Sequence, residues 1–195
     1  MRYLFLIIIL FIPITSAAHP HVFIDARVSV LFNEKGLAGF KIEWTFDEMF
    51  SSTLIQDFDI NLDGKFNMKE IKKIESVTLS NLKEYDWFTH ITINEKQFTI
   101  KEINGFYASI DSGVVFYEFF LPCEVTAVER DREVKIAIYD PTYFVQILWA
   151  SETPFCFKDT SNILLNYEVF EDEGNSYYYG QIIPEALKIK FGKKE

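Results

Sequence analysis

The chain has 195 residues, of which 49% are hydrophobic, so it is long enough for one or two domains with a substantial core. With 25% charged residues, this composition excludes disordered and collagen-like classes. Asp and Glu number 29 against 19 Lys and Arg, which gives a formal net charge of -10. That balance argues against a nucleic-acid-binding protein, because phosphate affinity depends on clustered Lys and Arg.

The first 18 residues have the pattern of a secretory signal peptide. A short basic start is followed by an apolar run over residues 3–14 and by small residues at 16–18. The apolar run is shorter than the roughly 20 residues that a spanning helix needs. We therefore expect cleavage after Ala18, export to the periplasm, and a mature chain, 19–195, that forms a single β-rich domain with no membrane span. An uncleaved membrane anchor is the alternative.

Cleavage at this point would create a potential metal site at the new terminus. His19 would offer its α-amine and its imidazole, and His21 would point the same way if the segment is extended. Nitrogen ligands of this kind suit Zn, Ni, Co or Cu. The alternative is a polar start to the first strand, and a cut after Ala17 would remove the amine ligand. His90 is a further candidate ligand, with a structural role in a strand as its alternative.

Alternating polar and apolar residues predict a first strand over 22–30 and, after a turn at 33–36, a second over 37–44. Further strands are predicted at 88–94, 97–103, 106–111, 114–121, 133–139, 143–150, 162–170 and 186–191. Short strands at this spacing favour a mainly β fold, an antiparallel β-sandwich. An EF-hand-like helix–loop–helix is expected as an insert at about residues 46–83.

The sharpest motif lies in this insert, where residues 59–70 read DINLDGKFNMKE. The segment fits the twelve-residue EF-hand loop, D-x-N-x-D-G-x5-E. The predicted Ca²⁺ ligands are Asp59, Asn61, Asp63, Lys65 through its carbonyl oxygen, Asn67 and Glu70. Because EF-hands usually pair and this loop is single, we expect a structural calcium clip rather than a sensor. A loop that keeps only its turn is the alternative.

The flanking residues predict a helix on each side of this loop. Thr45 and Glu48 fit a capping box that would start a helix near Phe46. Its apolar residues recur every four positions to Phe58. After the loop, Ile71, Ile74 and Leu82, together with residue 77 or 78, predict a second helix that ends near Lys83.

Motifs of enzymes are scarce. The sequence has no nucleophile elbow, no HExxH zinc motif, no P-loop and no dinucleotide-binding fingerprint, so we expect no enzymatic activity. Cys123 and Cys156 would form one disulfide in an oxidising compartment or remain two free thiols. Asp140 is expected to cap a turn that leads into a strand, with a ligand carboxylate as the alternative.

Four segments together resemble the exported bacterial family DUF1007: AHPHVFID at 18–25, WTFDEMFS at 44–51, the loop at 59–70 and YDPTY at 139–143. The resemblance runs from His19 to about Trp149. The family is loosely described as the periplasmic component of an uncharacterised ABC-type transport system, and its members often sit beside nickel/cobalt-type permeases. The resemblance implies a role near metal transport, with His19 and His21 matching the family's His-Pro-His start. It implies no catalytic residue and does not extend to His90 or the cysteines.

Our first hypothesis is therefore a non-enzymatic periplasmic accessory protein. It would bind a transition-metal ion at its N-terminus and exchange it with an inner-membrane metal transporter, while Ca²⁺ stiffens the scaffold. One alternative is a calcium-stabilised interaction domain in which the histidines are incidental. The other is a copper-dependent oxidase that uses the N-terminal histidine.

Overall fold

The computed structural model describes residues 20–129 and 131–194. The expected signal peptide, residues 1–18, and His19 lie outside them. The strands in this part of the chain are β1 (Val22–Asn33), β2 (Gly36–Phe46), β3 (Thr89–Ile93), β4 (Lys96–Phe98), β5 (Asn104–Asp111), β6 (Val114–Thr126), β7 (Arg132–Ile138), β8 (Val145–Trp149), β9 (Phe155–Lys158), β10 (Ile163–Glu171) and β11 (Glu185–Lys193). The helices are α1 (Glu48–Phe58), α2 (Met68–Ile74) and α3 (Ser80–Leu82), with a π-turn at Glu75–Leu79 and 3₁₀ turns at Lys83–Phe88 and Glu173–Asn175.

The strands form two sheets that share one hydrophobic core. The first sheet has the order β5-β6-β2-β1-β8, with β9 also pairing with β1, and the second has the order β10-β11-β7-β3-β4. Their facing sides meet in ring contacts such as that between Phe32 and Phe191, whose centroids are 5.2 Å apart. The predicted mainly β, two-sheet architecture is therefore confirmed.

The first sheet is mixed rather than wholly antiparallel as expected. β1 runs parallel to both β8 and β9, whereas its pairing with β2 is antiparallel. Parallel neighbours need a long connection, and here the chain passes through the second sheet at β7 before β8 returns to the first. The positions of strands along the sequence do not show which strand lies beside β1 after such a connection, or whether the two run parallel.

Most of the predicted strands are present, with shifted ends. The apolar residues of the alternating pattern in β1, from Val22 to Val30, are all buried. The strand expected over 97–103 ends at Phe98, and β9 was not predicted. β9 has only four residues and alternate burial, so its sequence carries little signal.

The helical insert lies between β2 and β3, and its first helix begins later than expected. Asp47, not Thr45, is the N-cap: one carboxylate oxygen accepts from the Phe50 N–H at 2.8 Å. The predicted Thr45–Glu48 capping box is wrong, because Thr45 is still paired within β2. The other Asp47 oxygen accepts from the Phe23 N–H at 2.9 Å and so joins the helix start to β1.

The second helical segment reaches Leu82, close to its predicted end, but changes register on the way. A π-turn at Glu75–Leu79 adds one residue to the turn. Leu79 is therefore buried, while Val77 is 47% exposed. The expected stripe therefore does not pass through Val77, whereas the alternative, Thr78, is half-buried and lies on the same side of the insert as Leu82. No helix in the described ranges is long and apolar enough to cross a membrane.

The two cysteines are free thiols, Cys123 buried in β6 and Cys156 exposed in β9. Strands β2 and β1 separate β6 from β9 within the first sheet. Three strand spacings of about 4.8 Å exceed the reach of a disulfide, whose Cα atoms lie roughly 4.4–6.8 Å apart. The disulfide alternative is therefore wrong for this fold.

Candidate functional site

The acidic loop, residues 59–70, connects α1 to α2, and its two ends lie together. A Glu70 carboxylate oxygen accepts from the N–H of Ile60, the neighbour of Asp59, at 2.9 Å. Asp59 and Glu70 are 3% and 4% exposed, which is unusual for carboxylates. The fold thus brings the first and last predicted calcium ligands to one buried place.

The Asp59 side chain holds the turn of the acidic loop. Its two oxygens accept from the N–H groups of Asp63 at 3.2 Å and Gly64 at 2.9 Å. Gly64 has a φ of +77°, the left-handed conformation that glycine adopts without strain. Phe66 is buried, as expected of the apolar residue of such a loop. The sharp turn at Gly64 is the feature that an EF-hand loop needs at its sixth position.

The end of the acidic loop is also the start of α2. The Asn67 side chain accepts from the N–H groups of Lys69 and Glu70, and Glu70 accepts from the Asn67 N–H at 2.8 Å. These bonds form a capping box, which satisfies N–H groups that a helix start leaves unpaired. The sequence prediction for both residues is calcium ligation alone, although their N-x-x-E spacing is also the pattern of a capping box.

The donor set of the acidic loop fits a hard cation, since carboxylate, amide and carbonyl oxygens are what Ca²⁺ prefers. The same oxygens are engaged by the protein. Asp63, for example, accepts from the Asn61 side chain at 2.8 Å and from the Lys65 N–H at 2.9 Å. In residues 20–129 and 131–194, no group of three or more His, Cys, Asp or Glu side chains is placed to hold a metal ion.

The N-terminal candidate ligands are only partly described. His21 is exposed just before β1, and its backbone N–H donates to the Phe144 carbonyl oxygen at 2.9 Å. The imidazole of His21 lies beside the Phe144 ring, with 4.9 Å between the centroids. The structure therefore places His21 against the loop at 139–144, which contains the segment 139–143 singled out in the sequence.

This loop is organised by Asp140, as expected. Asp140 is 2% exposed, and its carboxylate accepts from the backbone N–H groups of Thr142 at 2.8 Å and Val145 at 3.0 Å. The Thr142 hydroxyl donates to the same carboxylate at 2.7 Å. The predicted role of Asp140 in the turn is confirmed, and these bonds fix the loop that meets His21.

His90 occupies a structural place in β3. Its Nε2 lies 3.2 Å from the Tyr139 carbonyl oxygen, and its ring stacks on the Tyr139 ring with centroids 3.9 Å apart. Burial lowers the pKa of His90 below its ordinary value of 6.5, although the Tyr139 carbonyl and the charge of Asp86 oppose this shift. These contacts favour the structural alternative for His90 over a ligand role.

Comparison with known sequences gives the family. Residues 4–162 match the model of a family described as "Protein of unknown function (DUF1007)". The chain belongs to this family. All four segments that suggested the resemblance fall inside the match, whereas β10 and β11 follow it.

Two relatives of this DUF1007 protein are similar over most of their length. The first, from Spirochaeta aurantia, is named "Uncharacterized 15.5 kDa protein in trpE 3'region". It is 30% identical over 131 residues, which span 67% of this chain and 93% of the relative. An "Uncharacterized protein" of Haemophilus influenzae is 26% identical over 154 residues, or 78% of this chain and 73% of the relative.

Proposed function

We propose that this DUF1007 protein is a non-enzymatic, exported metal-binding accessory protein of the periplasm. In this proposal, the mature N-terminus binds one transition-metal ion of the Zn, Ni, Co or Cu type and exchanges it with an inner-membrane transporter. The acidic loop holds a structural Ca²⁺ ion. The observation that carries the proposal is the closure of the acidic loop, in which the buried Glu70 carboxylate reaches the amide next to Asp59.

The calcium part is supported by the burial and charge of these two carboxylates. Two buried carboxylates at one place repel each other and lose hydration, so a cation between them would stabilise the fold. The other predicted ligands, Asn61, Asp63, Lys65 and Asn67, lie along the same loop. The turn at Gly64 and the buried Phe66 match what this kind of loop requires.

Calcium binding would also have to compete with hydrogen bonds. The Glu70 oxygens accept from Ile60 and Asn67, and ligation would draw on those same oxygens. The net free energy of Ca²⁺ binding would then be the attraction between the ion and its ligands, reduced by the free energy of the hydrogen bonds that the ion replaces. Extracellular calcium modules of modest affinity, roughly 10⁻⁴–10⁻³ M, are the relevant comparison.

The transition-metal part is supported by His21. Its side chain is exposed just before β1 rather than packed into the core, and its backbone N–H bonds to the loop at 139–144. A mature chain starting at His19 would add an α-amine and a second imidazole two residues away. An exposed nitrogen site of this kind exchanges its metal readily, which a delivery protein requires.

The test uses the exported, processed protein. Mass spectrometry first establishes whether the mature chain starts at His19. Calorimetric titration with Zn²⁺, Ni²⁺, Co²⁺, Cu²⁺ and Ca²⁺ then compares the wild type with a His19→Ala/His21→Ala double variant and with His90→Gln as a control. We expect the double variant to lose tight transition-metal binding and keep Ca²⁺ binding, while the control retains both.

Three results would contradict the proposal in different ways. Unchanged transition-metal affinity in the double variant would remove the N-terminal site. Calcium binding alone, with a large loss of melting temperature on chelation, would instead favour a calcium-stabilised interaction domain. Copper-dependent oxidation of added substrates that disappears with His19 would favour the oxidase alternative.

A further inference from the structure

The outermost strand of the second sheet, β10 (Ile163–Glu171), has one free edge. It pairs with β11 on one side, and no strand of the described ranges pairs with it on the other. Side chains near its middle are open to solvent, since Tyr167 and Val169 are 52% and 42% exposed. A free edge of this kind attracts further strands, because half of its backbone N–H and C=O groups lack partners.

The hydrogen bonds to β11 show which groups of β10 point outward. Just before the strand, the Asn162 carbonyl oxygen accepts from the Lys194 N–H at 3.0 Å, and just after it, the Asp172 N–H donates to the Pro184 carbonyl oxygen at 2.8 Å. In an antiparallel pair, residues that bond to the partner strand alternate with residues whose N–H and C=O groups point away from it. The even-numbered residues of β10 therefore bond to β11. The odd-numbered residues within 165–171 present their backbone groups at the free edge.

β10 lacks the features that usually keep edge strands from pairing. Protected edges are very short, bulged, or interrupted by Lys or Pro. In the described part of the chain, the other edge strands fit this rule: β4, β8 and β9 have three to five residues, and β5 changes register at a bulge. By contrast, β10 has nine residues, pairs without a break and contains neither Lys nor Pro. It is therefore open to a further strand.

We infer that β10 pairs with β10 of a second copy of this chain, antiparallel across a two-fold axis at Tyr167. This register overlaps all nine residues and joins the outward-pointing backbone groups of both copies. It also sets Leu165 opposite Val169 of the second copy and the two Tyr167 side chains opposite each other, which are apolar pairs that stabilise a sheet. A two-fold axis one residue later would place the two Glu168 carboxylates opposite each other, which is destabilising.

The charges at the two ends of β10 favour this orientation. One end is acidic, because Glu171 lies opposite Glu185 of β11 and both are exposed. The other end is basic, with the exposed Lys193 opposite Ile163 and Lys194 after it. Antiparallel pairing brings the acidic end of each copy to the basic end of the other. The net charge of -10 opposes association, but at 0.15 M salt such repulsion is screened beyond about 8 Å, so the charges at the contact decide.

Sedimentation equilibrium of the processed protein tests this inference. The measurement runs from about 1 µM to 1 mM, the range in which weak association appears. EDTA is present, so neither of the proposed metal sites can bridge two copies or influence the result. We expect a reversible equilibrium between one and two chains. A mass of one chain at every concentration would overturn the inference.

Amide hydrogen exchange, read residue by residue by NMR, tests the edge itself. We expect the N–H groups of Leu165, Tyr167, Val169 and Glu171 to become protected only at high protein concentration. Those of the even-numbered residues of β10 should be protected at every concentration, because they bond to β11. Dimerisation without new protection at the odd-numbered residues would place the interface elsewhere.

Two variants separate this edge from other surfaces. Tyr167→Lys sets two charges opposite each other at the two-fold axis and should weaken dimerisation at least about tenfold. Tyr107→Lys is the matched control, since Tyr107 is 51% exposed on the edge strand β5, and it should leave dimerisation unchanged. Val169→Pro removes an outward N–H without breaking a bond to β11 and should also weaken dimerisation. Dimers of wild-type affinity in folded Tyr167→Lys or Val169→Pro protein would contradict the inference.

Discussion

Asn67 and Glu70 cap each other at the start of α2: the Asn67 side chain accepts from the Glu70 N–H at 3.2 Å, and Glu70 accepts from the Asn67 N–H at 2.8 Å. The same two residues are predicted calcium ligands. If the proposed calcium site exists, this pair of side chains would have two roles, a cap in the absence of an ion and a set of ligands in its presence. Removing either side chain should affect both stability and ion affinity, and substitutions can be chosen to separate the two.

Glu70→Gln should weaken Ca²⁺ binding by about tenfold or more, because the bidentate, charged ligand becomes a neutral amide. Glutamine still has one oxygen to accept a bond from Asn67 or Ile60, so the loss of stability in EDTA should be small, about 1 kcal/mol. Calorimetric Ca²⁺ titration and thermal melts in EDTA give the two quantities. Glu75→Gln makes the same charge change at an exposed residue outside the loop and should alter neither. Equal affinities of the two variants would mean that Glu70 does not bind calcium.

Asn67→Ala should lower the free energy of unfolding by about 1 kcal/mol even in EDTA, because it removes the N-cap of α2. Asn61→Ala is the matched control, since Asn61 is exposed and its amide donates to the exposed Asp63 side chain. Urea denaturation of both variants in EDTA measures the difference. If Asn61→Ala is as destabilising as Asn67→Ala, the capping box does not stabilise the helix start.

Ser51 anchors the helical insert to the first sheet. Its hydroxyl donates to the Phe46 carbonyl oxygen at 3.3 Å and accepts from the Val115 N–H at 3.0 Å, and its side chain is fully buried. Ser51→Ala should destabilise the fold by about 1–3 kcal/mol because the Val115 N–H loses its acceptor. The neighbouring Ser52 is exposed, so Ser52→Ala should change stability by less than about 0.5 kcal/mol. Chemical denaturation compares them, and similar values would argue against the anchor.

The buried His90 should make stability depend on pH. Its pKa in the folded state lies below the ordinary 6.5, mainly because burial disfavours the charged ring. Between these two pKa values the unfolded chain binds more protons than the folded one, so stability falls as the pH drops below about 6.5 and is retained above it. His90→Gln cannot be protonated and should lose less stability than the wild type between pH 7.5 and pH 5.5.

Denaturation curves at several pH values, in EDTA, provide this comparison. His21→Gln serves as the control, because it removes an exposed histidine by the same substitution. The same slope in His90→Gln and wild type would contradict a role for His90 in acid sensitivity.

Local patterns in the sequence determined much of the fold. Alternation predicted β1, because a strand with one face on the core must place an apolar residue at every second position. The turn at Gly64 and the two helices around it were also predicted from nearby residues, namely the glycine of the loop motif and the helical spacing of apolar residues. The position of Asp140 in its turn was likewise visible, since a short acidic side chain bonds to amides two residues ahead.

Other features were decided by partners distant in the sequence. Thr45 could have capped α1, but its pairing with β1 and β6 keeps it in the sheet and leaves the cap to Asp47. The parallel pairing of β9 with β1 rules out a bond between the cysteines, because it leaves two strands between Cys156 and the strand of Cys123. A cavity beside Trp44 exists only where sheet, insert and the loop at 139–144 meet. Local propensity fixes where elements form, but long-range packing decides which groups become neighbours, and each site depends on those neighbours.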